Sequence, residues 1–511
     1  MRSNIICSIL VLLTIVFVLL FYFRYVPFNT DEFCHYIALS YHYYPLNSYN
    51  TFRTSAYDLY LSPFFGLYFP LRSYYYTGSI GCLFYFPLFI IWKNPNSVRL
   101  LGILFLLVQS ICIQRLFKWK YTTVFLFIIS FLPYSFQHIV DTGPISFQTT
   151  SIFIIAIILL QWKDRLQNHD SWKYPIYIGI LIFLCIWIKP IYFCLLPGIF
   201  ILILSTFSKN RTVIMHKYKF IKHMILLISA ALIPCYVLLQ SVDRGGHTYF
   251  NQLQEMSNRL CNSGDYYEKL TSTVIKFIGK PLFACHRIFI VPHGISIIDI
   301  CYILTILSML CYGLFKLRKK IFIPLFYLTA GIVSLLLIAL VRKPNAMHHF
   351  VLSFPFFILF FCATLRSLKK DKFIKVLMVI FVVINLRCFM KIINLTYEGH
   401  SHPCRYKLIE LLDNEFGDKY VFIYIDWGYY HMKSLYGNKN MCNLYMAPFH
   451  LASNDDVQRL KIILKKLNRK ALFIGQVSSK PEIESMLKAF PNLTIYRPYE
   501  KMGDWRIWYE E

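Results

Sequence analysis

The sequence predicts a polytopic α-helical membrane protein of about eleven transmembrane helices plus interfacial helices, with a small α/β extracytoplasmic unit at its carboxyl end. Three observations predict this class. Of the 511 residues 57% are hydrophobic and 18% aromatic, and only 15% are charged, where soluble proteins carry roughly 25%. Apolar runs close to the ~20 residues that cross ~30 Å of hydrocarbon recur through residues 1–395. Over residues 400–511 that pattern gives way to short strands alternating with short helices.

The first run, Ile5 to Phe23, lacks a small-residue cleavage site before Arg24 and reads as a retained helix rather than a removed leader. Residues 24–96 form an extracytoplasmic loop rich in Tyr, Phe and Pro. Further spans are expected at 97–117, 121–136, 145–162, 174–189, 191–207, 223–240, 297–315, 321–341, 349–366 and 374–391. With the amino terminus inside, Lys118-Trp119-Lys120, Lys163-Asp164-Arg165, Lys209 to His223, Lys316 to Lys320 and Arg366 to Lys375 all fall on the cytoplasmic side. These are the most basic segments, as the positive-inside rule requires. The apolar stretch 77–92 is an exception. Counting it as a span would place every one of those clusters outside, and it is short and interrupted by Gly81 and Pro87. It is therefore expected to be a juxtamembrane or re-entrant helix in the interface, where Tyr and Trp are at home.

The net charge of +27 does not indicate nucleic acid, because the Lys and Arg residues lie between apolar runs and do not gather on one folded face. The 15 cysteines contain no CxxC pair, and most fall inside apolar runs, so neither a disulfide framework nor a metal knuckle is expected. In the tail, helices are expected at Cys404–Glu415, Tyr429–Leu435, Asp455–Leu467 and Pro481–Ala489. Strands are expected at Tyr420–Ile425, Met441–Met446, Ala471–Gly475, Leu493–Tyr496 and Trp505–Tyr509. Asp426-Trp427-Gly428 stands at a strand end, read either as a ligand contact or as a turn with a buried Trp.

Charged residues collect at the outer ends of the expected helices, and each carries two readings. Asp31 and Glu32 open an amphipathic stretch after Thr30, and so are either first-turn carboxylates stabilising an interfacial helix or catalytic acids. Asp141, in His138-Ile139-Val140-Asp141-Thr142-Gly143-Pro144, is either a helix cap or a further acid of a site. Lys189-Pro190 stands where two apolar runs meet, and Lys189 either snorkels or meets an anion. Arg342-Lys343-Pro344 with His348-His349 adds a positive cluster. No carboxylate or cysteine stands near those histidines at ligand spacing, which favours anion contact over metal. A carboxylate among cations at one membrane surface suits a lipid-anchored phosphate beside a general base.

The ordered landmarks resemble a known superfamily. They are Asn29-Thr30-Asp31-Glu32-Phe33 after the first span, Tyr76-Thr77-Gly78 before the helix with Pro87, and Ser97-Val98-Arg99-Leu100 opening the second span. Then follow His138 to Phe147, Trp187-Ile188-Lys189-Pro190, Ile233-Pro234, and His348-His349-Phe350-Val351-Leu352 to Pro355. Over roughly residues 1–395 this order resembles the GT-C glycosyltransferases, in the branch of protein O-mannosyltransferases and lipid A aminoarabinose transferases. The resemblance implies a GT-C-like transmembrane fold and transfer, with inversion, of a sugar from a polyprenyl-phosphate-linked donor. The acceptor it implies is a lipid, glycan or protein on the extracytoplasmic face of a bacterial inner membrane. By the same resemblance Asp31 is the general base with Glu32 beside it, and Asp141 is an additional acid. Lys189, Arg342, His348 and His349 contact the donor phosphate. Where the aminoarabinose transferases carry an acid-Lys-Pro sequence this chain reads Tyr75-Tyr76-Thr77-Gly78, so the contact made there is either absent or supplied elsewhere, with Arg72 the candidate. The resemblance implies no organic cofactor, leaves a divalent metal open, and gives membrane lipids but no nucleic acid as partners. Three rivals remain: a transporter or flippase of lipid-linked glycans, a ligase or polymerase of such glycans, and a non-catalytic membrane scaffold.

Overall fold

The computed structural model describes residues 12–20, 61–64, 67–70, 72–74, 77–78, 80–92, 96–140, 142–166, 168–207, 217–241, 248, 250–251, 254, 296–317, 322–341, 347–368, 370–397, 411–425, 442–445, 454–476, 480–496 and 505–511. Residues 12–20 are helical. Two small hairpins follow in the loop, β1 (Leu61–Phe64) with β2 (Leu67–Pro70) and β3 (Arg72–Tyr74) with β4 (Thr77–Gly78). Helix α1 (Ile80–Ile91) has 12 residues and Pro87 inside it. At 1.5 Å per residue it covers only about 18 Å, short of a crossing.

The bundle that follows comprises α2 (Asn96–Phe117), α3 (Tyr121–Ser130), α4 (Leu132–Ile139), α5 (Pro144–Asp164), α6 (Lys173–Ile188) and α7 (Leu196–Phe207). It continues with α8 (Lys217–Leu239), α9 (Ile297–Leu317), α10 (Phe322–Val341), α11 (Phe354–Ser367) and α12 (Lys372–Tyr397). Among the described residues eight helical segments are long and apolar enough to cross a membrane, and Tyr121–Ser130 and Lys173–Ile188 are shorter apolar helices. The chain is an integral membrane protein.

The span expected at 121–136 is interrupted. Pro133 lacks the N–H that would continue the helical ladder and stands instead in the first turn of a new helix, and Phe131 leaves the helix at φ −78°, ψ 77°. The freed Leu132 N–H donates to Asn385 Oδ1 of α12 at 3.2 Å, and Asn385 Nδ2 donates to Phe381 O at 2.8 Å. A backbone amide inside hydrocarbon has to find such a partner.

The two ends of the bundle differ. At the basic end Arg366 Nη1 donates to Leu116 O at 2.8 Å. Trp162 Nε1 donates to His223 Nδ1 at 3.1 Å. The Tyr312 hydroxyl donates to Asp371 Oδ2 at 2.8 Å, while Asp371 Oδ1 accepts from the Phe373 and Ile374 amides and caps α12. The other end holds the α4–α5, α6–α7 and α10–α11 connections.

After α12 the chain builds a five-stranded sheet of order β6-β5-β7-β9-β8. Its strands are β5 (Tyr420–Tyr424), β6 (Cys442–Tyr445), β7 (Lys470–Gln476), β8 (Leu493–Ile495) and β9 (Trp505–Glu510). Strands β6, β5 and β7 are parallel, and β9 runs antiparallel to both β7 and β8. Alternation along β5 and β7 divides the core. Val421, Ile423, Ala471 and Phe473 face α13 (Asn454–Leu467) and α14 (Lys480–Ala489). Phe422, Tyr424, Leu472 and Ile474 face Leu411, Leu412 and Phe416. Every strand expected from the sequence is present, and α13 and α14 start within one residue of the expected positions. The helix expected at Tyr429–Leu435 and the Asp426-Trp427-Gly428 turn lie outside the described residues.

Candidate functional site

Lys189 marks the break between α6 and α7. Pro190 opens a short 3₁₀ turn, Pro190–Leu195, and Lys189 itself is extended at φ −158°, ψ 116°. The residue is 3% exposed. Its N–H donates to Cys185 O at 3.1 Å, and its carbonyl accepts from the Tyr192 N–H at 3.1 Å. Gln148, from the second turn of α5, clamps the break. Its Nε2 donates to Cys185 O at 2.8 Å and Lys189 O at 2.7 Å. Both partners are carbonyls, so the amide orientation is fixed, and Oε1 is buried with no hydrogen bond among the described residues.

Two further elements meet this break. The 3₁₀ turn Met347–Ser353 carries His348 and His349 and packs against both Pro190–Leu195 and α10. His349 is 1% exposed, and the His348 side chain lies outside the described residues. The second hairpin pairs the backbones of Arg72 and Gly78, and β4 packs on α6. A Cβ at Gly78 would overlap the Trp187 carbonyl, so glycine is required for this approach. The Arg72 backbone is thereby held near Lys189, while its side chain is outside the described residues.

A buried polar network lies beneath the same end. Gln109 Nε2 donates to Thr150 Oγ1 at 2.8 Å and meets His138 Nε2 at 3.0 Å, and its Oε1 accepts from the Tyr134 hydroxyl at 2.6 Å. His138 Nδ1 lies 2.9 Å from Tyr134 O, which can only accept, so this nitrogen is assigned the proton. Thr142 donates to His138 O, and Gly102 packs against that carbonyl so closely that a side chain would not fit. The residues flanking position 141 are thus pinned to α2, although Asp141 lies outside the described residues. So do Asp31, Glu32 and Arg342; α10 ends at Val341, directly before Arg342. Of the four remaining expectations for this end, the structure brings together Lys189, His349 and the backbones carrying His348 and Arg72.

An apolar groove of about 600 Å³ opens between α6 and α8, lined by Phe183, Trp187, Ile233, Pro234, Val237 and Leu238, with Gln240 and Ser241 at its rim. Trp187, two residues before Lys189, borders both this groove and the hairpin. Among the described residues no three His, Cys, Asp or Glu converge to hold a metal. Sequence reasoning missed Gln148 and Gln109, whose signal is an amide inside an apolar run. It quoted Arg99 only as a landmark, yet Arg99 is 1% exposed in the first turn of α2.

The whole-chain architecture matches a solved structure, ArnT from Cupriavidus metallidurans in the apo state, a lipid A aminoarabinose transferase of GT-C type. The match covers 98% of this chain and 97% of that one, with a TM-score of 0.54 and 10% identity. The chain shares the fold of that structure. The Archaeoglobus fulgidus oligosaccharyltransferase, solved in complex with Zn and sulfate, aligns over 93% of this chain and 68% of its own, with a TM-score of 0.42 and 12% identity. No family model matches the sequence. No curated protein matches it either.

Proposed function

We propose that this GT-C-fold protein is a glycosyltransferase that moves a sugar, with inversion, from a polyprenyl-phosphate-linked donor to a lipid, glycan or protein acceptor. The observation that supports this most is the buried Lys189 break beside an apolar groove. A polyprenyl phosphate is an anion on a long hydrocarbon chain. It needs a cation where the membrane ends and an apolar channel leading there, because an unpaired anion near hydrocarbon is costly. The isoprenoid lies in the groove between α6 and α8. Lys189, with Arg72, Arg342, His348 and His349, neutralises the phosphate, which departs as the anomeric carbon inverts. Asp31 takes the proton from the acceptor hydroxyl, with Glu32 beside it and Asp141 as an additional acid. The site faces the extracytoplasmic side of a bacterial inner membrane, and residues 400–511 form a separate unit on that side.

The test compares wild-type chain with Asp31→Asn and Lys189→Ala in membranes, reading surface glycans and glycolipids by mass spectrometry. Loss of a general base lowers turnover typically 10²–10⁴-fold, so one defined sugar should disappear in Asp31→Asn. Identical glycans in wild type and both variants refute the reading and favour a scaffold. A lipid-linked glycan that changes leaflet without being transferred favours a flippase.

A further inference from the structure

We propose that the α13–α14 face of the carboxyl-terminal sheet is a docking surface for anionic lipid headgroups of the membrane that α12 spans. This inference does not rest on sugar transfer. The inner sides of the two helices supply core residues Val457, Leu460, Leu464, Met486 and Phe490. Their outer sides expose Arg459, Lys461, Lys465 and Lys466 on α13 and Lys488 on α14. Lys461 Nζ lies 5.5 Å from the centre of the Phe490 ring, which places it between the helices. Among these cations stand two apolar side chains facing outward, Ile462 at 64% exposure and Leu487 at 38%. The acids described on this side are Asp455, in the first turn of α13 where the helix dipole favours it, and Glu484 on α14; the Asp456 and Glu482 side chains lie outside the described residues.

The opposite side of the sheet has the reverse character. The segment covering it carries Asp413, Glu415 and Asp418, with Lys419 at its end. Among the described residues the unit is thus polarised across its sheet, basic on the helical side and acidic on the other. A polarised body orients in the field of an anionic surface, whose reach is about one Debye length, ~8 Å at physiological ionic strength. It is also tethered there, because α12 ends at Tyr397 and the chain already packs on the sheet at Leu411. That linkage reaches about 50 Å at full stretch, so docking is an intramolecular event at high effective concentration. Lysine-rich helices with protruding aliphatic side chains match an interface where headgroups meet acyl chains. A soluble anionic glycan would use the cations but gain nothing from Ile462 and Leu487.

The test reconstitutes the full chain in nanodiscs of phosphatidylcholine alone or with phosphatidylglycerol, and measures lysine acylation rates by mass spectrometry. In the anionic discs Lys461, Lys465 and Lys466 should each react about fivefold more slowly, the ratio given by about 1 kcal/mol per basic residue at an anionic surface. Salt at about 0.5 M should restore the rates by screening, and Lys419 should not change. Equal rates in the two lipids overturn the proposal. So does protection that appears in phosphatidylcholine discs on adding heparin as a soluble polyanion but is absent in phosphatidylglycerol discs, which reassigns the face to glycan.

Discussion

Replacing Gln148 tests whether the Lys189 break is held as described. The two hydrogen bonds from Gln148 Nε2, at 2.8 Å to Cys185 O and 2.7 Å to Lys189 O, each contribute about 0.5–1.5 kcal/mol net. Both carbonyls keep a second partner, Lys189 N and Tyr192 N respectively, each at 3.1 Å. Gln148→Leu therefore removes two bonds without orphaning either acceptor, and should cost about 1–3 kcal/mol. Gln148→Glu is nearly isosteric but has no N–H, so it sets oxygen against two carbonyl oxygens in a fully buried position. It must either bury a charge or protonate and donate only once. Its cost should exceed that of Leu by several kcal/mol, of the order that breaking a buried polar partnership brings. Thermal unfolding of the detergent-solubilised chain, followed by a thiol-reactive dye, reports both variants, since Cys112, Cys185, Cys194 and Cys362 are buried until the bundle opens. A Glu variant as stable as the Leu variant refutes the assigned amide orientation and the clamp.

Gly78→Ala should lift the hairpin off α6, because its Cβ meets the Trp187 carbonyl; limited proteolysis between residues 70 and 80 should accelerate. Gln109→Leu takes the acceptor from the Tyr134 hydroxyl, while His138 Nε2 keeps Thr149 Oγ1 at 2.9 Å; the cost should be about 1–3 kcal/mol, read by the same dye assay. Asp371 has its carboxyl held below its ordinary value of 3.8, chiefly by the Tyr312 hydroxyl that donates to it. A depressed folded-state pKa contributes stability above the unfolded value and loses it as pH falls through the folded one. Wild type should therefore lose stability relative to Asp371→Asn only on acidification below about pH 4, as acid unfolding curves of the two chains will show.

The hydrophobic and basic patterning made the helix order legible because a membrane imposes one length and one charge rule on every span. Strands β5 and β7 were equally legible from short apolar runs between turn residues. The interruption at Phe131 was not, because Pro133 permits either a kink or a break, and the partner that stabilises the break is Asn385, far along the chain. At the site, Lys189-Pro190 stood out as a charge beside a helix breaker. Gln148 did not, since its role depends on two carbonyls of α6 that only packing brings within reach. Asp31 and Glu32, the acids that follow the first span, lie outside the described residues.

The Asn385 bond has a consequence for biogenesis. Leu132 and Asn385 are 253 positions apart, and synthesis at roughly 5–20 residues per second separates their emergence by about 10–50 s. Through that interval α3 and α4 sit in the bilayer with a donor whose native acceptor has not been made. Water, lipid or the insertion machinery has to hold it, and the early spans reach their final arrangement only when the last one docks. Assembly of this bundle is therefore completed from its carboxyl end, and a chain cut before α12 should leave α3 and α4 unlocked however well each inserts alone.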